Sequence, residues 1–223
     1  MTARLVIWDV DGTLVDSADE IAAAMAAAFA DEGLAAPAPA AVRGIIGLTL
    51  PVAFDHLHPG LGAARVGRLV DGYRAHFHRR HAEKGVAPLF RGIRAVLDDL
   101  AAAGETHLAV ATGKSRASVM PILDGHGLTG LFASIQVSDD HPSKPHPSMV
   151  RAAMAETGAS PRRTVMVGDT SFDMDMARAA GVAALAVAWG YHRAETLAAD
   201  LVARDVADLP ALVDRLTRGA GDG

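Results

Sequence analysis

Four clusters of residues carry the types that could do chemistry together: Asp9-Val10-Asp11-Gly12-Thr13, Thr112-Gly113-Lys114, Lys144-Pro145 and Gly168-Asp169-Thr170-Ser171-Phe172-Asp173. If the chain gathers them, Asp9, Asp11, Asp169 and Asp173 put four carboxylates in one place. Two like charges about 4 Å apart repel by roughly 4 kcal/mol at an effective dielectric of 20, so such a cluster needs cations. A hard divalent ion with oxygen ligands suits it, and Mg²⁺ is the usual choice where phosphate is also bound. Lys144 supplies a second positive charge. Thr112 and the start of the helix after it offer a hydroxyl and backbone N–H groups, which favour a phosphate. A carboxylate can also serve as a covalent nucleophile and form an aspartyl-phosphate. The set reads as a site for phosphoryl transfer.

The elements around these clusters explain how they would meet. Arg4 to Trp8 is a short run rich in branched apolar residues that breaks into acidic residues and Gly12, the pattern of a buried strand ending in a loop. Similar runs lie at His107 to Ala111, Ser134 to Val137, Thr164 to Val167 and Ala183 to Ala188. Helical stretches near 92–103, 115–126, 147–158 and 171–180 separate them. This alternation predicts an α/β fold with a doubly wound parallel sheet covered on both faces. Each chemical cluster follows a predicted strand. In such a sheet ligands bind outside the carboxyl ends of the strands, so residues distant in sequence converge there.

One stretch departs from the alternation. Between Ser17 and Pro88 no strand is predicted; helices are expected over 18–31, 39–45, 50–57 and 63–81, punctuated by Pro37, Pro39, Pro59 and Gly60. This predicts a core domain made of 1–16 and 89–218, an inserted helical cap domain over 17–88, and a disordered tail over 219–223.

The four motifs, in this order and spacing, resemble those of the haloacid dehalogenase-like superfamily. The resemblance covers nearly the whole chain, and the helical insert resembles that family's first-position cap. Asp9 to Ser17 (DVDGTLVDS) looks like the subgroup of phosphoglycolate phosphatases and their relatives. The resemblance implies a Mg²⁺-dependent phosphatase acting on a small phosphorylated metabolite. Asp9 would attack phosphorus. Asp11 would protonate the leaving alkoxide and then deprotonate the attacking water, help worth about 10² to 10⁴ in rate. Thr112 would bind the phosphoryl oxygens, with Gly113 and Lys114 beside it, and Lys144 would screen the nucleophile. Asp9, the backbone carbonyl of Asp11 and Asp169 would ligate the metal, with Asp173 in direct contact or acting through water. Arg43, near the loop Gly44 to Leu50, could reach the site from the cap and hold an anionic substrate group; the alternative is a solvated helix residue.

Other functions leave different marks. Dehalogenase relatives lack an aspartate two residues after the nucleophile, and phosphonate-cleaving relatives usually carry alanine there; Asp11 argues against both. A sugar-phosphate mutase of the same superfamily would keep all four motifs and add cap groups for a second phosphate, a role open to Arg43, but Gly12 to Ser17 looks more like the phosphatases; an inorganic pyrophosphatase also fits this cap type. A non-catalytic binding protein would be expected to lose Asp9, Asp11 or Lys144, and none is lost. A nucleotide switch needs a glycine-rich phosphate loop that Gly12 alone does not make.

Bland readings compete at several positions. An aspartate after a strand can be only a cap, and Lys114 at a helix start either meets phosphate or faces water. His76, His78 and His81 are spaced by two and three, so they do not share one helix face and suit a solvated surface better than a metal. His141 and His146 flank Lys144, where a structural or solvent role is favoured. Trp189, Gly190 and Tyr191 could approach the site or merely pack. The net charge of -5 gives no broad attraction to nucleic acid or anionic membrane. Apolar runs such as Ile21 to Ala30 fall short of the roughly 18 residues a span needs. The absence of cysteine excludes disulfides and thiolate chemistry and fits a cytoplasmic enzyme, expected as a monomer or homodimer.

Overall fold

The structure is a computed structural model that describes residues 3–217. The tail expected over 219–223 lies outside the described residues.

Six strands form one parallel sheet: β1 (Arg4–Trp8), β2 (Thr106–Ala111), β3 (Phe132–Gln136), β4 (Thr164–Gly168), β5 (Ala183–Val187) and β6 (Leu201–Ala203). Their spatial order is β3-β2-β1-β4-β5-β6, so the chain winds outward from β1 in one direction and then in the other. Successive side chains of a strand point to opposite faces. In β1, Val6 and Trp8 enter one apolar core while Leu5 and Ile7 enter the other, and all four are fully buried. Both faces of the sheet are therefore covered, which is why its strands are continuously apolar rather than alternating.

The covering helices of the sheet are α5 (Ile93–Ala102), α6 (Arg116–Gly125), α7 (Ser148–Thr157), α8 (Ser171–Ala180) and α9 (Leu209–Thr217). The expected doubly wound α/β architecture is present. Sequence periodicity missed β6 and α9. The first has only three residues, and the second begins with Leu209-Pro210, where proline suits the first helical turn but reads as a breaker in isolation.

Between β1 and α5 run four helices: α1 (Ala18–Asp31), α2 (Pro39–Arg43), α3 (Leu50–Leu57) and α4 (Ala63–Lys84). Helix α1 packs along α4, and α3 also rests on α4. An aromatic row joins them: Phe29, Phe54, Tyr73 and Phe77 follow one another at centroid distances of 5.9, 6.5 and 5.7 Å. Fully burying such a ring is worth about 1.5–3 kcal/mol. Helix α2 stops at Arg43, two residues short of expectation, and α4 runs three residues past it.

The two segments connecting these helices to the sheet lie side by side. Asp16 N–H donates to the Pro88 carbonyl at 2.9 Å, and Phe90 N–H donates to the Leu14 carbonyl at 2.9 Å. Val15 and Leu89 thus form an antiparallel bridge at the neck of the helical insert.

Candidate active site

The register of the sheet brings the clusters together. Trp8 pairs with Val110 and with Val167, so Asp9 stands one residue beyond the strand end, level with Ala111 and Gly168. Thr112 follows directly on one side and Asp169 on the other. Lys144 comes from the loop between β3 and α7, and Asp173 from the first turn of α8. The site lies where the strand order reverses around β1, the place open parallel sheets use for ligands.

Lys144 is completely buried, and its Nζ donates to Asp9 Oδ1 at 2.7 Å and to Asp173 Oδ1 at 2.6 Å. Burial alone would lower its pKa, but the Asp173 and Asp9 carboxylates outweigh that and hold it well above the ordinary lysine range. Asp173 Oδ2 accepts from the Thr170 N–H at 3.1 Å and the Thr170 hydroxyl at 2.7 Å, half of a capping box that starts α8. Asp169 accepts from the Thr13 hydroxyl at 3.0 Å and the Tyr191 N–H at 2.7 Å. Asp9 Oδ2, by contrast, is buried with no hydrogen-bond partner.

Oxygens of Asp9, Asp169 and Asp173 all lie within 4.8 Å of one another. Burial pushes the Asp9 carboxyl up to about 7; Lys144 opposes this, while Asp173 and Asp11 add to it. Burial, together with Asp9 and Asp173, also raises Asp169 well above the carboxylate range. One lysine does not compensate three buried carboxyls. An orphaned Asp9 oxygen beside two more carboxylates fits a small hard cation such as Mg²⁺. Three glycines make room for this cluster: Gly168 against Asp173, and Gly12 and Gly190 against Asp169. A Cβ on Gly12 would fall 2.3 Å from Asp169 Oδ2, and one on Gly190 would fall 2.1 Å from Asp169 Cβ.

Asp11 takes a separate position. Its carboxylate accepts a hydrogen bond from the Ser17 hydroxyl and lies 3.2 Å from Lys114 Nζ. It is outside the three-carboxylate cluster, so only its backbone carbonyl is left for the metal role expected of it. Ser17 is held in turn, because its N–H donates to the Tyr191 hydroxyl at 2.8 Å. The Lys114 ammonium, left open between phosphate and water by the sequence, is buried and sits 4.2 Å from the centre of the Phe77 ring of α4.

The helical insert closes over this end of the sheet. Thr49 N–H donates to Ser143 Oγ at 3.0 Å, and the Gly47 carbonyl lies so near Gly113 that a Cβ there would be 2.4 Å away. Between insert and sheet remains a cavity of about 310 Å³. Asp11, Gly113 and Lys114 line it from the sheet side, and Ile21, Met25 and Tyr73 from the insert.

Two expectations need correction. Arg43 is exposed and does not line the cavity. Its neighbour Val42 is the buried residue of the short helix α2, which turns the next side chain outward. The basic residue that the insert does present is Arg74. The start of α6 is also less available to phosphate than expected, since Asp139 already accepts the Arg116 N–H at 2.7 Å.

Other residues resolve in between. Thr112 is buried at the end of β2, and its hydroxyl accepts from the Lys114 N–H at 3.2 Å. His141 lines the cavity and is fixed by Gln136 and Ser148 at 2.7 and 2.8 Å, whereas His146 is exposed. His76 meets Asp31, and His81 lies 3.0 Å from Glu20 and packs on Phe77. Trp189, Gly190 and Tyr191 do reach the site. Trp189 Nε1 donates to the Thr13 carbonyl at 3.2 Å, beside the two Tyr191 contacts above. Ser17 and Thr13 were present in the motif, but nothing in their types assigned them these partners.

Residues 6–187 match the sequence pattern of the haloacid dehalogenase-like hydrolases, and the chain belongs to that family. It is 39% identical over 198 residues to the probable phosphatase IndB of Dickeya dadantii (strain 3937), covering 87% of this chain and 85% of that protein. It is 34% identical over 217 residues to a phosphoglycolate phosphatase of Yersinia pestis, covering 94% and 93%. A predicted phosphatase from Clostridium acetobutylicum superposes with a TM-score of 0.86 at 24% identity, over 97% of this chain and all of that one, a likeness of fold.

Proposed function

We propose that this hydrolase is a Mg²⁺-dependent phosphatase that cleaves a small phosphomonoester through a phosphoryl group carried on Asp9. The observation that carries this reading is the buried cluster of Asp9, Asp169 and Asp173 around Lys144, with one Asp9 oxygen unpartnered. The names of the relatives support the class of reaction and make phosphoglycolate the first substrate to test. The absence of cysteine fits the reducing cytoplasm, where such substrates are found.

In this reading an Asp9 oxygen attacks phosphorus, the bond from phosphorus to the ester oxygen breaks, and Asp11 gives its proton to the departing alkoxide. Asp11, now a carboxylate, takes a proton from water. The water oxygen attacks phosphorus, and the bond to Asp9 breaks to free the carboxylate and inorganic phosphate. Lys144 keeps Asp9 oriented and screens its charge from Asp173. Ser17 and Lys114 hold the Asp11 carboxylate, and Tyr191 fixes Ser17 in place. Mg²⁺, held by Asp9, Asp169, Asp173 and the carbonyl of Asp11, would supply Lewis-acid neutralisation of the phosphoryl oxygens. Thr112 and Gly113 border the phosphoryl group.

Residues 17–88 act as a cap. Closure over the cavity excludes bulk water and so strengthens the interactions of Lys144 with developing charge. The paired segments at Val15 and Leu89 are the hinge, and opening there releases product. The test is a phosphate-release screen over small phosphomonoesters and pyrophosphate with Mg²⁺, ranked by kcat/KM. A phosphomonoester at the head of that ranking is the expected result. Release from pyrophosphate alone, or from nothing, would refute the reading.

A further inference from the structure

Arg74 is the residue of the cavity whose charge is unanswered. It lies on α4 and lines the cavity. Its Nε is buried and has no hydrogen-bond partner. Arg65 and Arg68, earlier on α4, pair with Glu32, and Lys114 pairs with Asp11, while Arg80, whose Nε is also unpartnered, does not line the cavity. Arg74 has no such carboxylate among the described residues. Three positions along a helix place neighbours on one face, their Cβ atoms about 5–6 Å apart. Arg74 therefore neighbours Phe77, whose ring carries the Lys114 ammonium that contacts Asp11. The unpaired guanidinium thus lines the same cavity as Asp11, the group expected to protonate the leaving oxygen.

The walls next to it are of another kind. Ile21, Met25, Ile45 and Leu48 face the same cavity and give water few partners. The space of about 310 Å³ is far more than the ~10–15 Å³ that holds one water. Glycolate, with two carbons, would leave most of it unfilled. The insert's side of the cavity, apolar at Ile21, Met25, Ile45 and Leu48 and carrying the unpaired Arg74, suits a ligand with an apolar body and a single anionic end. A guanidinium binds a carboxylate through two parallel hydrogen bonds, a geometry that lysine does not reproduce.

We propose that Arg74 is a specificity-determining residue: it receives a carboxylate at the far end of an apolar leaving group larger than that of phosphoglycolate. The inference rests on the phosphatase reading of the site and narrows its substrate class.

The test measures kcat and KM with Mg²⁺ for phosphoglycolate, phenyl phosphate and 4-carboxyphenyl phosphate, on the parent, Arg74→Gln and Arg74→Lys. The parent should favour 4-carboxyphenyl phosphate over phosphoglycolate in kcat/KM. Arg74→Gln should lower kcat/KM for 4-carboxyphenyl phosphate at least about tenfold, mostly through KM, and change phenyl phosphate by less than about threefold. Arg74→Lys should recover only part of the loss. The unchanged rate on phenyl phosphate also shows that the variant is folded. Equal losses on the two aryl esters, or a parent that prefers phosphoglycolate, overturn the proposal. If the parent frees phosphate from none of these esters nor from the wider screen, the phosphatase reading itself falls, and this inference with it.

Discussion

Lys144 holds its ammonium between Asp9 and Asp173, 2.7 Å from one carboxylate and 2.6 Å from the other, with none of the three side chains meaningfully exposed. Removing one partner of a buried ionic set leaves uncompensated charge and costs about 3–5 kcal/mol. Lys144→Met should therefore destabilise the metal-free protein by about that amount in urea titrations with a chelator present. Adding Mg²⁺ should narrow the gap, because a second cation then answers the same carboxylates. A loss below about 1 kcal/mol, or one indifferent to Mg²⁺, would contradict this picture.

Asp9 adds a pH dependence whose sign is fixed by its environment. Its folded carboxyl titrates near 7 against an ordinary value of 3.8, chiefly through burial. Between those values the folded form holds a proton that the unfolded form has released. Stability from this group is thus retained at low pH, falls as pH rises through the window, and levels off above about 7. Asp9→Asn lacks the titration. In chelator, the stability of the parent relative to Asp9→Asn should fall between pH 5 and pH 7.5, as followed by urea unfolding. A difference that stays flat or rises would show that Asp9 is charged in the folded protein throughout.

The glycines around Asp169 give a packing prediction. A methyl group at Gly190 would overlap Asp169 Cβ at 2.1 Å, whereas Gly130 has nothing within 4 Å. Gly190→Ala should destabilise by about 1–3 kcal/mol and weaken Mg²⁺ binding, since Asp169 must move. Gly130→Ala should stay within about 0.5 kcal/mol of the parent. Thermal unfolding with and without Mg²⁺ compares the two, and equal behaviour would mean that Gly190 has no role in seating Asp169.

Much of this arrangement was legible in the sequence, for physical reasons that differ by residue. Asp9 and Asp169 stand just beyond apolar runs, Lys144 and Asp173 follow in the next loop and helix turn, and parallel-sheet topology sends such positions to one edge. Strand β6 was illegible because three residues carry no periodicity. Ser17 and Tyr191 are 174 positions apart, so their contact depends on how the segment after β5 folds back, which local pattern does not encode. Arg43 and Arg74 are both arginines on insert helices. The stripe Val66, Leu69, Val70, Tyr73 and Phe77 marks the buried face of α4, and only the packing of that helix shows that Arg74, beside the stripe, borders the cavity.

The nucleophile is the centre of the account, and one substitution tests it most directly. Asp9→Asn keeps the size of the side chain and its place beside Lys144 while removing the charge that attacks phosphorus. The measurement is kcat for phosphate release with Mg²⁺ on the best substrate of the screen, using protein shown by circular dichroism to be folded. The account predicts a fall of at least about a thousandfold, as expected when a covalent route is closed. Turnover within about tenfold of the parent would contradict it and move the chemistry away from Asp9.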